Sequence, residues 1–409
     1  MGLADNQPRI AYLTGEYPAV SHTFILREVQ ALRARGLDVQ TCSIRRTDPA
    51  HHRGPAEQAA VADTFYVLSA AKNPLVLLAA MARALLSPAR LSSALALAWR
   101  TRPPGLRAAL YQLFYLIEAM VLARYLKKQR IRHLHNHFGN SSCSVAMLTS
   151  ELSGIGFSYT MHGPAIFFAP RHWRIDEKIA RAGFVACISH YCRSQGMAFS
   201  DPDHWHKLKI VHCGITPAHY GTTRPEQPGK NILFVGRLAA VKGVPVLLEA
   251  FAQVLKTHPD ATLTLVGDGP ERSTIQTHAA PLGDAVRFTG YLSQDEVTEQ
   301  LDRADIFALP SFAEGVPVVL MEAMAARLAV VATRIAGVPE LVGNGVSGLL
   351  VPPGDADALA GALGDLLNDP IKCAEMGAAG RAVVEAAFDI EQAAAQLQDL
   401  FTESRKNRP

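Results

Sequence analysis

Hydrophobic positions in the first half of the chain form short apolar runs separated by longer amphipathic stretches. The run over residues 9–13 predicts a strand, and the stretch over 23–35 predicts a helix that stops at Gly36, a residue suited to a helix C-terminus. The other strands predicted in this half lie at 37–44, 131–135, 157–161, 184–188 and 209–212. Helices are predicted over 141–153 and over 74–130, the latter broken at Pro88 and at Pro103 and Pro104.

The second half repeats this rhythm more regularly. Its predicted strands lie at 231–235, 262–266, 286–289, 306–309, 330–332 and 348–351, with helices between them. Strands that alternate with helices are typical of parallel α/β sheets. The pattern therefore predicts two doubly wound halves, whose ligands bind at the carboxyl ends of the strands, with the cleft between the halves as the default active site.

Residues 216–229 are rich in Pro, Gly and Thr and lack an apolar period, which predicts a linker between domains. The expected domains are residues 1–215 and 230–385. Residues 386–409 are expected to form a C-terminal helix that packs back on the N-terminal domain.

Composition narrows the class of protein. Hydrophobic residues make up 49% of the 409 residues and charged residues 19%, which is typical of a folded chain with large cores. No apolar run approaches the roughly 18–20 residues expected of a membrane span, and Asp5 and Arg9 interrupt any signal-peptide pattern. The six cysteines have no framework spacing, so reduced thiols in the cytoplasm are expected.

Charge is divided unevenly along the chain. Residues 1–220 carry a net charge of +12 and residues 221–409 a net charge of −9, and between 64 and 150 eleven basic residues accompany a single acid, Glu118. Basic and apolar side chains together favour contact of the helical segment 64–130 with an anionic membrane surface. Two alternatives remain open: ordinary helices with a solvated basic face, and nucleic-acid binding, for which no reading motif is present.

Two loops of the second half combine glycine with charge. Arg237 and Lys242 flank a strand-to-helix turn after Gly236, where they can converge on a phosphate or diphosphate, although a surface salt bridge explains them equally well. The spacing of a Walker loop is missing. Gly267 and Gly269 bracket the next turn, where glycine lets a ligand approach the main chain, unless the segment is only a turn.

Two further segments follow strands of the same half. Tyr291 and Leu292 lead into Ser293, a plausible helix N-cap with Glu296 at the capping-box position, and the backbone there could pair with a nucleobase edge. The segment 310–323 carries Glu314 before a helix and Glu322 within it. Because a buried carboxylate needs a partner, a ribose diol suits Glu322 and sugar hydroxyls suit Glu314.

Taken together, these motifs resemble the nucleotide-sugar-binding half of the retaining glycosyltransferases of family 4, which have the GT-B fold of two Rossmann-like domains facing each other across a cleft. The Glu-x7-Glu pattern is complete, and the likeness covers nearly the whole chain. In the first half, the segment 160–163 resembles the family's strand-end histidine, and 21–25 resembles a subgroup of exopolysaccharide and lipid-linked glycan assembly. There the chain departs from the family at His22, where an acid is common, and at 14–18, which lack a glycine pair.

The resemblance implies a role for each residue. Arg237 and Lys242 would neutralise the departing diphosphate, Glu322 would hold the ribose, Glu314 the transferred sugar, and His162 would lie against that sugar from the other domain. The remaining donor-binding residues implied are Gly236, Gly267, Gly269, Tyr291, Leu292, Gly315, Val316 and Pro317. The acceptor side would include Gly15, His22, His135 and His137.

The resemblance also implies retention of anomeric configuration, no resident cofactor and no metal. His133, His135 and His137 alternate on one strand face, but no acid or cysteine completes a zinc site in the sequence. The implied partners are a nucleotide-sugar donor, a glycan or polyprenyl-linked acceptor and the inner face of the cell membrane, with no nucleic acid. A nucleotide-sugar 2-epimerase and a non-catalytic relative are the competing functions.

Overall fold

The computed structural model describes residues 9–19, 22–49, 52, 54–164, 166–221 and 229–406. Asp5, Ser21 and residues 222–228 of the expected linker lie outside the described residues. The chain divides into two compact units, of which the first comprises Met1–His212 with Ala393–Pro409 and the second comprises Cys213–Gln392.

The first unit is built on seven parallel strands. They are β1 (Ile10–Glu16), β2 (Val39–Arg45), β3 (Phe65–Tyr66), β4 (His133–His137), β5 (Gly156–Met161), β6 (Val185–Cys187) and β7 (Leu208–Ile210). Its helices are α1 (Thr23–Ala34), α2 (Pro55–Asp63), α3 (Val67–Ala71), α4 (Pro74–Leu85), α5 (Pro88–Arg100), α6 (Leu106–Lys128), α7 (Ser141–Ser153), α8 (Ile175–Arg181) and α9 (His190–Ala198).

The second unit has a six-stranded parallel sheet. Its strands are β8 (Asn231–Val235), β9 (Thr262–Val266), β10 (Val286–Gly290), β11 (Ile306–Leu309), β12 (Ala329–Thr333) and β13 (Leu349–Val351). Its helices are α10 (Val244–Thr257), α11 (Arg272–Ala279), α12 (Gln294–Arg303), α13 (Val318–Ala325), α14 (Val338–Leu341), α15 (Ala356–Asn368) and α16 (Pro370–Ala387), and α17 (Ile390–Lys406) continues into the first unit.

Both sheets have the doubly wound strand order. The order is β3-β2-β1-β4-β5-β6-β7 in the first and β10-β9-β8-β11-β12-β13 in the second. In each sheet the first strand in the chain lies in the interior, the next two strands extend the sheet to one edge, and the later strands extend it from the first strand to the other edge. The connections therefore diverge beside β1 and β4, and beside β8 and β11, which is where such sheets bind ligands. The predicted fold class of two doubly wound α/β halves is confirmed.

Most predicted elements are confirmed, but β4 begins two residues later than expected. Arg130 adopts a left-handed conformation with φ 57°, and the N–H of Ile131 donates to the carbonyl of Leu126 at 2.9 Å. This bonding closes the end of α6 and prevents residues 130–132 from joining the strand. In this unit α2, α3, α8, α9 and the two-residue strand β3 were not predicted.

Helix α17 ends the chain against the first sheet. The ring of Phe401 lies 5.3 Å from that of His135, 5.6 Å from that of Phe184 and 6.3 Å from that of Tyr12. These contacts bury an aromatic residue near the end of the chain among side chains from the middle strands of the first unit.

Helix α6 changes one sequence-based expectation. It has 23 residues, and by length and composition it is apolar enough to cross a membrane, as is the pair α4 and α5, which is bent by 104°. The expectation that no segment approaches such a length is therefore wrong. Within the first unit α6 packs on α7 and buries Leu116, Val121, Leu122 and Leu126.

All six cysteines are buried and none forms a disulfide, as their irregular spacing predicted.

Candidate functional site

Loops that follow four neighbouring strands of the second sheet are joined by backbone hydrogen bonds. Leu238 N–H donates to the carbonyl of Asp268 at 2.9 Å, and Gly267 N–H donates to that of Gly290 at 2.9 Å. Phe312 N–H donates to the carbonyl of Val241 at 2.7 Å. The ends of β8, β9, β10 and β11 thus form one connected edge, and the four sequence motifs of this half all lie on it.

Close packing of neighbouring loops requires glycine at two positions of this edge. Gly267 has φ 127°, and a Cβ there would lie 2.0 Å from the carbonyl oxygen of Gly236. A Cβ on Gly269 would lie 2.3 Å from the carbonyl oxygen of Leu238. The space that a side chain would occupy is therefore filled by the neighbouring loop, so the packing of the loops requires glycine at both positions. Binding of the donor by Gly267 and Gly269 stays a prediction.

Lys242 and Glu314 are brought into direct contact. Lys242 ends a short 3-10 turn after β8, and Glu314 lies in the loop after β11. The ammonium donates to Glu314 Oε1 at 2.5 Å, and the two side chains are only 20% and 10% exposed. A partly buried cation and carboxylate therefore lie side by side where the strands diverge.

Arg237 occupies the same loop as Lys242 but is exposed. Among the described residues, no carboxylate or carbonyl forms an ion pair or hydrogen bond with its side chain. The next loop supplies a contrasting arginine, Arg272, which is paired with Asp268 at 2.5 Å. The N–H of Gly269 and then Arg272 hold the pKa of the Asp268 carboxyl below its usual value. Arg237 is thus a cation of this edge without such a carboxylate partner.

Glu322 faces inward from α13, as its predicted position required. It is 5% exposed, and its Oε1 accepts from the hydroxyl of Tyr220 at 3.0 Å and from the amide of Gln294 at 3.1 Å. Neither partner was predicted, because Tyr220 lies in the expected linker and Gln294 in a capping box, a motif that indicates a helix start and not a contact with Glu322. The buried carboxylate thus has protein donors at Oε1, and its contact with a ribose stays a prediction.

The remaining residues predicted to bind the donor flank this group. Tyr291 is 46% exposed after β10, and Leu292 is partly exposed beside it. The predicted capping box is confirmed, since Ser293 accepts from the N–H of Glu296 and the Glu296 side chain accepts from the N–H of Ser293. Pro317 is the N-cap of α13, Val316 is buried, and Gly315 accepts a hydrogen bond from the N–H of Gly337 at 3.1 Å.

In the first unit, the predicted histidines cluster at the ends of β4 and β5. His162 directly follows β5, and its Nε2 lies 2.9 Å from Nδ1 of His137, the last residue of β4. His22, the N-cap of α1, lies close enough to His162 to lower the pKa of its imidazole. Gly15 lies within β1, where an added Cβ would meet no atom within 4 Å.

A buried acid in this cluster escaped the sequence analysis. Glu28 is 5% exposed on α1, and its Oε1 accepts from the hydroxyl of Tyr12 at 2.8 Å. The same oxygen lies 3.2 Å from Nε2 of His137, within ion-pair range but at an angle too oblique for a hydrogen bond. The sequence around Glu28 indicates only a helix. That Glu28 faces the histidines follows from the packing of α1 against the strands, which the sequence pattern does not show.

Burial lowers the pKa values of two histidines of this cluster. Removal from water holds the pKa of His162 well below its usual value of 6.5, and the nearby His137 and His22 lower it further. Burial also holds the pKa of His135 well below 6.5, with smaller contributions from His137, His133 and His162. His162 is therefore a neutral imidazole at pH 7, able to donate and accept hydrogen bonds but not to supply positive charge.

Glu28, His135 and His137 are close enough to hold a metal ion, since their ligand atoms lie within 4.8 Å of one another. The expectation that no acid stands beside these histidines is therefore wrong. The ring nitrogens of His135, however, lie 2.8 Å from the hydroxyl of Ser158 and 2.9 Å from that of Thr160. Those hydroxyls occupy the nitrogens that a metal would need, which favours a hydrogen-bonded network.

Comparison with protein families and relatives adds to this geometry. The family described as "Glycosyl transferases group 1" matches residues 222–383, which include the edge built around Lys242 and Glu314. The amylovoran biosynthesis glycosyltransferase AmsK of Erwinia amylovora is 30% identical over 415 residues, covering 96% of this chain and 99% of that protein. The putative teichuronic acid biosynthesis glycosyltransferase TuaC of Bacillus subtilis is 30% identical over 66% of this chain and 69% of that protein.

Solved structures share the fold. The sucrose-phosphate synthase of Thermosynechococcus elongatus has a TM-score of 0.75 and 21% identity, covering 98% of this chain and 100% of that one. Anabaena HepE, solved in complex with UDP, has a TM-score of 0.70 and 17% identity over 97% of this chain and 100% of that one. At these identities the likeness shows the fold, that of the GT-B glycosyltransferases.

Proposed function

This chain is a glycosyltransferase of the group 1 family, and from that premise we propose that it transfers a sugar, with retention of configuration, from a nucleotide-diphosphate donor to a glycan or lipid-linked acceptor. The observation that carries the proposal is the contact between Lys242 and Glu314 at the edge of the second sheet. A cation can bind the diphosphate and a carboxylate can bind the sugar, and here the two groups are in direct contact, with Glu322 eight residues further along the chain on α13.

The proposed step needs no covalent link to the protein. The bond between the anomeric carbon and the diphosphate oxygen breaks, and the acceptor hydroxyl forms a new bond to that carbon on the same face. The hydroxyl proton passes to the departing diphosphate. Lys242 and Arg237 stabilise the negative charge that develops on the leaving group, which is where fixed cations have their largest effect.

Donor binding would rearrange one contact. Because Lys242 is bonded to Glu314, a diphosphate must compete for its ammonium, and the released carboxylate oxygen can then accept from a sugar hydroxyl. Lys242 thus exchanges a carboxylate for a diphosphate, and Glu314 exchanges the ammonium for a sugar hydroxyl, so that neither group is left without a hydrogen-bond partner. His162 is proposed to contact the transferred sugar as a neutral hydrogen-bonding group, in keeping with its lowered pKa. No resident metal or cofactor is proposed.

We also propose that the protein works in the assembly of an exopolysaccharide or cell-surface polysaccharide, at the inner face of the cell membrane. Relatives that carry the names of amylovoran and teichuronic acid biosynthesis support the pathway class. Exposed apolar residues support the membrane contact: twelve of the nineteen large hydrophobic side chains exposed in the described residues lie between 75 and 114. Exposed apolar residues concentrated in one segment support an interaction surface there.

The epimerase alternative has no support from the family match or from these relatives, which are transferases. A non-catalytic relative would have no use for the Lys242–Glu314 pair together with Arg237 and Glu322.

A substrate screen tests the proposal. Purified protein is incubated with UDP-, GDP- and ADP-sugars, each with and without a polyprenyl-diphosphate-linked acceptor, and released nucleotide and glycosylated acceptor are measured. One donor should be consumed faster with acceptor, and NMR of the product should show the donor's anomeric configuration. Absence of turnover with every donor, or an inverted product, contradicts the proposal.

A further inference from the structure

A cavity of about 260 Å³ lies open at the surface of the helical layer of the first unit, outside the sites described above, with Arg83, Arg90 and Lys127 exposed at its rim. It opens between α4, α5, α6 and α7. Four of its lining residues are cations, namely Arg83, Arg90, Arg124 and Lys127. Its volume is below the range of about 300–1,000 Å³ typical of sites for whole small molecules, so it suits a compact charged group.

No acid lines this cavity. Glu118, the single acid between residues 64 and 150, is absent from the lining, and among the described residues none of the four cations has a carboxylate partner. Arg100, from the same helical layer, differs in this respect because it pairs with Glu177 at 2.9 Å. The cavity therefore concentrates positive charge that the surrounding protein leaves uncompensated.

The cations also act on one another. Partial burial, followed by the charges of Arg90 and Arg83, lowers the pKa of the Lys127 ammonium. Like charges held together by rigid helices repel, and a bound anion would remove this repulsion. Cations near helix ends also interact favourably with the helix dipole, which is the structural alternative for Arg83 and Lys127.

One face of α6 connects this cavity to the exposed apolar surface. Leu106, Leu110 and Leu113 are 87%, 58% and 52% exposed. Ile117, Met120 and Arg124 continue this series, in which successive residues are three or four positions apart. The six residues therefore lie on one face of the helix. The apolar stripe and the cluster of cations at its end match the two parts of an anionic lipid, namely its acyl chains and its charged headgroup.

We propose that this cavity binds the phosphate of an anionic membrane lipid, while the leucines of α6 contact the acyl region of the same membrane. The proposal deepens the membrane contact of the proposed function, because it assigns that contact to a defined phosphate site and not to diffuse positive charge. The four cations supply charge-assisted hydrogen bonds to phosphate oxygens, and the leucines add apolar contact.

Two double variants of α6 test this assignment. Arg124→Gln with Lys127→Gln removes two cavity cations, and Arg107→Gln with Lys128→Gln removes two cations of the same helix that do not line the cavity. Binding of the full chain is measured by flotation with phosphatidylcholine vesicles, with and without phosphatidylglycerol. The cavity variant should bind the anionic vesicles at least tenfold more weakly than wild type, and the control variant less than twofold more weakly.

Several results would overturn the proposal. Equal losses in both double variants mean that diffuse charge attracts the membrane, and no loss in the cavity variant means that the cavity does not bind lipid. Protection of the wild-type protein against thermal unfolding by inorganic phosphate, with equal vesicle binding by the two variants, assigns the cavity to a soluble anion. The unfolding midpoint of the cavity variant should not fall, since it loses repulsion between like charges, and this controls for folding.

Vesicle binding is measured without any nucleotide sugar. Failure of the lipid site therefore leaves the transferase proposal intact, and a protein that consumes no nucleotide sugar can still show the cavity-dependent binding.

Discussion

At the scale of single residues, the chemistry depends on partners that are distant in sequence. Lys242 and Glu314 are separated by 72 positions, and Glu322 and Tyr220 by 102. The sequence motifs predicted that Lys242, Glu314 and Glu322 would matter. They could not show that Lys242 bonds directly to Glu314, because that contact depends on the adjacent placement of β8 and β11.

Glu28 is the residue whose function we infer from contacts alone. Its carboxylate lies beside Nε2 of His137, which favours a proton on that nitrogen and leaves Nδ1 of His137 to accept from His162. Glu28→Gln should therefore disturb the tautomer of His162 and lower kcat by up to about 10²-fold, because the group proposed to contact the transferred sugar is then misaligned.

The pH profile distinguishes this positioning role from a loss of stability. If Glu28 sets the protonation of the histidines, kcat of Glu28→Gln should depend on pH differently from wild type between pH 5 and 8. Glu16→Gln, at the exposed end of β1, is the matched control and should retain the wild-type profile. A Glu28→Gln enzyme with unchanged kcat and profile would remove Glu28 from the site.

At the scale of elements, the hydrophobic pattern predicted the strands of the second unit well. Strands β8, β9 and β11 have the predicted bounds, and α7 in the first unit does too. These segments are either continuous apolar runs or helices with clear ends, so local sequence determines them. The two-residue strand β3 is too short to show a period, and the start of β4 depends on the left-handed turn at Arg130.

The site was predictable only in part for the same reason. Loops after strands could be recognised from their glycine and charge content, but not the packing of one loop on another. Gly267 illustrates this limit: its sequence context suggested room for a ligand, whereas its neighbour in space is the carbonyl of Gly236. Backbone contacts between loops cannot be predicted from the pattern of side chains along the sequence.

Gly267→Ala tests the role of that loop contact. Its positive φ and a Cβ at 2.0 Å from a backbone oxygen should destabilise the edge by about 1–3 kcal/mol and weaken nucleotide binding. Gly361→Ala is the matched control, since an added Cβ on α15 meets no atom within 4 Å and should stabilise its helix by about 0.5–1 kcal/mol. Calorimetric titration with nucleotide and thermal unfolding followed by circular dichroism compare the two variants, and equal behaviour would contradict this account.

At the scale of the whole molecule, the two units can be followed separately. All three tryptophans, Trp99, Trp173 and Trp205, belong to the first unit, so their fluorescence reports its unfolding. This unit also holds the groups whose burial makes its stability depend on pH.

Stability of the first unit should fall below pH 6.5. His162 and His135 have pKa values well below 6.5, so on acidification the unfolded chain takes up two protons that the folded unit does not. Burial raises the pKa of Glu118 to about 7, so this carboxyl takes up a proton in the folded unit and stabilises it as the pH falls. The net uptake of one proton by the unfolded chain predicts a loss of about 1.4 kcal/mol per pH unit between about pH 6.5 and 5.

Urea unfolding followed by tryptophan fluorescence measures this dependence. Glu118→Gln removes the opposing proton, so its slope should steepen to about 2.7 kcal/mol per pH unit. A stability that stays constant from pH 7 to 5 would contradict the assignment of neutral buried histidines, and equal slopes in the variant and wild type would contradict the raised pKa of Glu118.

The central claim is that the edge of the second sheet binds a nucleotide diphosphate through Lys242. The most direct test is calorimetric titration of wild type, Lys242→Ala and Lys256→Ala with UDP, GDP and ADP. Lys256, exposed on α10, matches the charge change away from the site. One nucleotide should bind wild type and Lys256→Ala with equal affinity, and Lys242→Ala should bind that nucleotide at least about tenfold more weakly. The kcat of Lys242→Ala should fall about 10²-fold. Equal affinity of Lys242→Ala and Lys256→Ala, or no binding of any nucleotide to the wild type, would contradict it.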